Sequence, residues 1–451
     1  MESISTPGGS RVWWMAVVVV TSGLAASLVG FSAPGQQPPP TFRAAVDLIA
    51  VDVQVADKDG RPVTNLGADK FNVTIDGHQR RVVSVDLVQQ SSLTRPGQAT
   101  SAARDVTSGP VATNQWPTSG PAGRTFMLAI DVDSFSIGES RGVAQAGRAF
   151  VDRLQPNDLV GLYTYPLGPR VDPTDDRAAV RRGLDAVVGA RSSAPTQFNL
   201  SPSEVIDISG ETAAIASRMT PTSTASATTT TTPVVLASDS STLRSVQLRE
   251  CEANDQQCVT RIEQEAFAMA FYFEGQATRS MTGLETLVRA LGGYPGRKTV
   301  IVFSAGMPVS DRPGGRPNIG DMARTLGEEA ARANATIYAL HIDTTFSQTF
   351  AAEQRKGEKS MVSRERESFM VGRLLDQFSA SSGGTMLRIL VGSGEGALEQ
   401  VLRETSAYYL LGVTPADADR DGRTHSLKVK VDQRGVTIRN RMWVVVPKKH
   451  A

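Results

Sequence analysis

Phe126-Met127-Leu128-Ala129-Ile130-Asp131-Val132-Asp133-Ser134-Phe135-Ser136 decides how this chain is read. Five apolar residues without a turn former suit a buried strand, and carboxylates and hydroxyls follow at once. They stand at the strand's C-terminal lip, where open α/β sheets bind ligands. Beyond the lip, Glu139 leads into Val143, Ala146, Phe150 and Leu154, which recur with a helical period. The unit reads strand, polar loop, helix.

Outward from it, further strands are expected at residues 159–165, 299–303, 336–342 and 385–390. Helices are expected from Arg177 to Val188, up to Ala290, from Asp321 to Ala333 and from Glu395 to Glu404. Strands alternating with helices predict a mainly parallel sheet covered on both faces. The chain ends read differently. Val51, Val53 and Val55, then Phe71, Val73 and Ile75, then Val83, Val85 and Leu87 alternate with polar residues, with turns at Asp59-Gly60 and Asp76-Gly77. Leu427, Val429 and Val431 alternate likewise, Gln433-Arg434-Gly435 turns, and Val436, Ile438, Val444 and Val446 continue. Either end alone is too small to be comfortably stable. Together they predict one small β sandwich with the α/β region inserted between them.

The Asp131 loop gathers hard oxygens, which suit Mg²⁺, Mn²⁺ or Ca²⁺. With the run Thr299-Val300-Ile301-Val302-Phe303-Ser304-Ala305-Gly306 and the tyrosine-rich Tyr408-Tyr409-Leu410-Leu411, the chain resembles the von Willebrand factor type A (VWA) domain proteins, in particular the acidobacterial-type group. That resemblance implies a Rossmann-like doubly wound domain and a metal-ion-dependent adhesion site built on an Asp-x-Ser-x-Ser loop, a later Thr and an Asp after the fourth strand. By position Asp131 matches the first Asp, Asp133 and Phe135 stand at the two Ser positions, and Ser134 and Ser136 lie one place off. Thr196 matches the Thr, and Ala305 replaces the final Asp. The resemblance thus implies a degenerate metal site of Asp131, Asp133, Ser134, Ser136 and Thr196, with Ser304 and Asp343 as an edge patch. Backbone capping by Asp131 and Asp133 is the alternative reading.

A length of 451 residues predicts several modules, and 47 Lys and Arg against 46 Asp and Glu lacks the basic excess of a nucleic-acid binder. Residues 12–31 are largely apolar, follow Arg11 and precede Pro-rich residues 34–43. They read as an export signal or as an uncleaved anchor, with residues 1–33 as the segment concerned. Either way the remainder lies outside the cytoplasm, in the periplasm or secreted, and touches membrane only through that segment. A β module at 44–90, a linker at 91–122, a VWA domain at 123–412 and terminal strands at 413–447 complete the expected order.

Within the VWA region, residues 197–280 form an insertion around a Thr/Ser tract, 219–241, whose composition cannot offset its ordering entropy. It carries the only cysteines, Cys251 and Cys258. An oxidising compartment favours a disulfide. A straight helix would hold the pair about 10 Å apart, so a bridge requires a chain reversal near Asn254-Asp255; two free buried thiols are the alternative.

Rival chemistries have weaker support. Gly392-Ser393-Gly394-Glu395-Gly396 imitates a dinucleotide fingerprint but meets Ala397 at the last position and follows the wrong strand. No Gly-x-Ser-x-Gly elbow is present, and of four histidines only His341 reaches the sheet lip. The expectation is therefore a non-enzymatic exported protein that holds another protein or an envelope polymer at the sheet's C-terminal edge. The alternative is a divalent-metal protein with hydrolytic activity there.

Overall fold

The two ends of the chain are joined by backbone ladders. In the computed structural model, β2 (Phe71–Ile75) pairs antiparallel with β11 (Thr424–Val431), Ile75 opposite Leu427 and Phe71 opposite Val431. The structure describes residues 48–89, 123–191, 196–219, 240–253, 255–312, 315–343, 361–390 and 394–448. The apolar run 12–31, the linker 91–122, the bulk of the Thr/Ser tract and Gly392-Ser393 lie outside the described residues. Ala45–Ala451 forms one compact unit. Among the described residues no helix is long and apolar enough to cross a membrane.

Around that pairing grows a seven-stranded antiparallel sheet. With β1 (Ile49–Asp57), β3 (His78–Gln89), β10 (Ala407–Thr414), β12 (Val436–Asn440) and β13 (Trp443–Val445), its order is β12-β1-β10-β3-β2-β11-β13. Only residues 432–435 separate β11 from β12, yet these strands lie near opposite ends of that order, so the sheet must curl. The curl encloses Val53, Val73, Ile75, Tyr409, Leu411 and Val413. A bulge between Gly412 and Val413 adds to the bend.

The second sheet has six strands. β4 (Thr125–Asp131) lies between β5 (Leu159–Tyr165) and β7 (Lys298–Ser304), followed outward by β8 (Ala335–Asp343) and β9 (Met386–Leu390), all parallel. β6 (Arg170–Thr174) closes the other edge antiparallel to β5. Alternate residues of β4 enter different cores. Phe126, Leu128 and Ile130 meet α1 (Ser140–Asp152), α2 (Arg177–Asp185) and α8 (Glu395–Glu404). Met127 and Ala129 meet α5 (Gln256–Leu291), α6 (Met322–Arg332) and α7 (Met361–Ser381).

These sheets correct the expected fold class. The molecule is not a Rossmann-like doubly wound VWA domain on a mainly parallel sheet with a small β sandwich appended. Its larger sheet is antiparallel and curled, and its second sheet is mixed. The reason lies partly in β10. Its residues 407–412 were expected to close the α/β region, but alternate burial along Ala407–Thr414 fits it between β1 and β3 at the centre of the antiparallel sheet. β6 was not among the expected strands; it contains Pro173, whose missing N–H costs no ladder bond at a sheet edge.

Residues between β6 and β7 build a separate helical layer. α3 (Pro202–Met219), α4 (Ser240–Glu250) and the first half of α5 enclose Phe198, Val205, Ile208, Val246, Ile262 and Ala266. α5 has 36 residues, about 54 Å at 1.5 Å each. Its second half, from Ala277 to Leu291, packs on the mixed sheet. Asp255 caps α5 by accepting from the Cys258 backbone N–H at 2.9 Å. The reversal before this cap brings the Cα atoms of Cys251 and Cys258 to 5.9 Å, and the two are disulfide-bonded.

Candidate functional site

The C-terminal ends of β4, β7 and β8 form the rim to which the sequence pointed. Asp131 is the last residue of β4, and Val132–Ser134 turn at once into a short 3-10 helix. Ser134 is 4 % exposed, and its hydroxyl donates to the Asp131 carbonyl at 2.7 Å and accepts from the Ala305 N–H at 3.0 Å. Ser304 donates from Oγ to Asp131 Oδ2 at 2.9 Å and accepts from the Gly306 N–H. Gly306 has φ +90°, and a Cβ there would meet Val371 at 2.5 Å, so this tight passage beside α7 requires glycine.

Asp131 itself is 1 % exposed, and its Oδ1 has no hydrogen-bond partner. Burial pushes its carboxyl up to about 7, with Ser280 and Ser304 opposing and the charge of Asp133 adding to the rise. Ser280, on α5, is near enough to favour the charged form, although its Oγ makes no hydrogen bond of regular geometry. Burial, followed by the charge of Asp131, raises the Tyr165 phenol well above its ordinary range. Asp131, Ser280 and Tyr165 thus form a sealed polar layer beneath the rim.

Asp133 turns the other way. Its Oδ2 accepts from Arg279 Nε at 3.3 Å and its carbonyl from Gln276 Nε2 at 2.7 Å, both from α5. Phe135 is fully buried among Val132, Val143 and the helix residues of that core, which explains an aromatic ring in a polar loop. Ser136 donates its N–H to Glu139, which is paired with Arg191 at 2.9 Å. Thr196 is half-buried and precedes Gln197, whose N–H donates to Glu265. Glu265 lies eleven residues before Gln276 on α5, roughly 16 Å along its axis. The structure therefore gathers Asp131, Asp133, Ser134 and Ser304, and leaves Thr196 tied to another part of α5.

At the far side of the rim, Asp343 accepts from Ser368 at 2.7 Å. His341 Nε2 lies 3.2 Å from the Ala305 carbonyl and Nδ1 has no partner. Burial lowers its pKa, so a neutral ring is favoured. No nucleophile shares a hydrogen bond with it among the described residues. Asp207 on α3, 4 % exposed, takes both guanidinium arms of Arg366 at 2.8 Å and Arg312 at 3.0 Å. Burial pushes Asp207 up, but Arg366 and Arg312 outweigh it and leave it below the usual carboxylate range. This carboxylate fastens the helical layer to two segments of the rim.

Sequence reasoning missed Gln276, Arg279, Ser280 and the Asp207 cluster. They stand far along the chain from Asp131, and only tertiary packing brings them there. The rim carries exposed aliphatic side chains: Ile137 is 70 %, Leu167 79 % and Val188 58 % exposed. Leu167 lies two residues past Tyr165, the partner of Asp131 in the ladder. Gly189, beside Val188, approaches the carbonyls of Phe135 and Ser136 so closely that a Cβ would stand 2.4 Å from one of them. A cleft lined by Gln54, Pro62, Glu404 and Arg439 lies elsewhere, between the antiparallel sheet and the end of α8. Among the described residues no three His, Cys, Asp or Glu side chains are grouped so as to share a metal ion.

No family model and no curated protein matches this chain. Among solved structures, an aerotolerance-related membrane protein from Bacteroides fragilis NCTC 9343 with multiple mutations to serines is 11 % identical, with a TM-score of 0.28, over 62 % of this chain and 98 % of that one. The conserved hypothetical protein BatB from Bacteroides thetaiotaomicron is 12 % identical, with a TM-score of 0.30, over 63 % and 98 %. At these scores the likeness carries no weight for fold or function.

Proposed function

We propose that this chain is an extracytoplasmic, non-enzymatic binding protein that engages a protein partner through the apolar rim of its mixed sheet, without a resident metal. The observation that carries the reading is the contrast between the two layers of the rim. Below, the oxygens of the Asp131 loop are turned inward: Ser134 is satisfied on both sides, Asp133 faces Arg279, and Asp131 is sealed. A hard cation wants six or more oxygens, whereas among the buried side-chain oxygens of the described loop only Asp131 Oδ1 is without a partner. The residues present do not fit Mg²⁺, Mn²⁺ or Ca²⁺. Above, three large aliphatic side chains, Ile137, Leu167 and Val188, face solvent from loops that meet around the ends of β4 and β5, as at partner-binding surfaces. The resemblance of the loop to the VWA adhesion loop supports a contact role at the same place. The apolar run 12–31 supports export.

A photo-crosslinking residue at Ile137 is expected to capture a protein from envelope extract, while one at exposed Val83 on the antiparallel sheet is not. Leu167→Asp should weaken the capture at least about 10-fold, since burying one aliphatic side chain contributes roughly 1.5–3 kcal/mol. Equal capture from both positions would refute the rim as the contact. Calorimetry with the three cations should give no heat. A metal response abolished by Asp131→Ala, with hydrolysis of a phosphate or peptide ester alongside, would replace this reading with the hydrolytic one.

A further inference from the structure

The curled sheet turns the outer face of β2, β11 and the start of β3 to solvent. Register places Lys428 opposite Thr74 and Thr74 opposite Gln79, with Lys430 opposite Asn72. Arg81 follows Gln79 by two residues and so shares its face. Lys428, Lys430, Arg81, Gln79 and Asn72 are all exposed. The intervening Arg80 points the other way, to Asp419 at 2.7 Å. Lys428, Lys430 and Arg81 have no ion-pair partner among the described residues, and no carboxylate occupies a position between them. Along the strand the two lysines are about 7 Å apart, and Arg81 lies two strands away, roughly 10 Å.

This is not the average charge of the chain. Residues 424–449 hold seven Lys and Arg against the single carboxylate Asp432, whereas the whole chain is balanced at 47 to 46. The face carries Asn72, Thr74, Gln79 and Ser426 between and beside the cations, and Asp432 follows Lys430 by two residues. It offers neither a groove for a chain nor an aromatic ring on which a base or sugar would stack. β1, in the same sheet, follows the apolar run 12–31 by fewer than about 20 residues of sequence. Clustered cations on a sheet that begins so soon in sequence after such a run are complementary in charge to an anionic membrane surface.

We propose that Arg81, Lys428 and Lys430 form an electrostatic docking face for an anionic phospholipid bilayer. The proposal shares with the proposed function only its extracytoplasmic setting and uses no residue of the rim. Each cation near an anionic surface strengthens binding roughly fivefold, so three give about 100-fold. The test uses the compact unit Ala45–Ala451, which holds every described strand, helix and core, in co-sedimentation with vesicles of phosphatidylglycerol and phosphatidylcholine or of phosphatidylcholine alone. Binding to the anionic vesicles only, weakening as salt shortens the Debye length, is the expected result. R81Q/K428Q/K430Q should reduce it about 100-fold while leaving the unfolding midpoint unchanged. The charge-matched triple R141Q/R182Q/R244Q, at exposed positions elsewhere, should keep it within a few-fold. Equal losses in the two triples, no preference for anionic vesicles, or retention on dextran sulfate without vesicle binding would each overturn the proposal. Loss of rim crosslinking at Ile137 would leave it untouched.

Discussion

Replacing Asp131 by Asn tests the sealed layer directly. The carboxyl titrates near 7 in the folded chain against 3.8 for the ordinary group, because burial disfavours its charge. About three pH units at 1.36 kcal/mol each amount to roughly 4 kcal/mol. The folded-state value is raised, so the stabilising contribution is complete below pH 3.8, where both states are protonated. It is lost as pH rises through 7, where folding must keep a buried charge. Asn is isosteric and neutral; its carbonyl still accepts from Ser304 and its amide can donate toward Ser280 or Tyr165. D131N should therefore match the wild type in urea unfolding near pH 4 and exceed it by about 4 kcal/mol at pH 8 to 9. A difference that stays flat with pH, or that turns against D131N at high pH, would refute the account. A reversal appearing only when Mg²⁺ or Ca²⁺ is added would instead mean that a cation holds Asp131 ionised.

Asp207→Asn should leave Arg312 and Arg366 without their shared anion. The cost is about 2 kcal/mol, less than for a fully buried pair because both guanidinium groups reach solvent, and proteolysis within residues 197–280 should accelerate. Cys251→Ser with Cys258→Ser opens an eight-residue loop and should lower stability by roughly 2.5 kcal/mol in the loop-entropy model, read as a urea midpoint shift relative to the oxidised chain. His425 lies between Asp76 at 2.7 Å and Asp421 at 3.0 Å; burial lowers its pKa, but the two carboxylates together raise it overall. Its stabilising contribution should be full below pH 6.5 and vanish as pH rises through the raised folded value. The stability gap between wild type and H425N should thus close at alkaline pH, and a gap that widens would be contrary.

How much of this was legible in the sequence differs from element to element. The strand ending at Asp131 and the helix beginning at Ser140 were readable because an unbroken apolar run and a 3.6-residue period are local signals. The Phe71 and Leu427 strands were readable by alternation, and their mutual pairing by the argument that neither could bury its face alone. Which sheet a strand joins is not a local property. Ala407–Thr414 alternates as a half-buried strand anywhere would, and its neighbours β1 and β3 lie more than 300 residues earlier. The surroundings of the Asp131 loop were equally out of local reach. Residue types at 131, 133 and 134 read as oxygen ligands, whereas the partners they meet, the Ala305 N–H and the α5 residues 276–280, are brought there only by tertiary packing. Phe135 was the one local signal of this, since a ring in that loop must find a core to enter.

The placement of α5 limits how the rim can work. One continuous helix supplies Ile262, Ala266 and Ala270 to the helical layer and Met281, Leu284 and Val288 to the mixed sheet. Between these stretches stand Gln276, Arg279 and Ser280, the residues that meet the Asp131 loop. A rotation of the helical layer that kept α5 whole would drag those three side chains across the loop and break the Asp133 contacts. Movement without that consequence needs a break in the helix, and the interior of α5 offers no proline and only Gly275 and Gly283. Gly283 is packed against Tyr165, where a Cβ would fall 2.9 Å from the tyrosine Cβ and 3.0 Å from its ring, so it has no room to flex. Gly275 meets only the end of Arg279. Any independence of the helical layer from the rim therefore has to arise at Gly275, and without bending there the two behave as one surface.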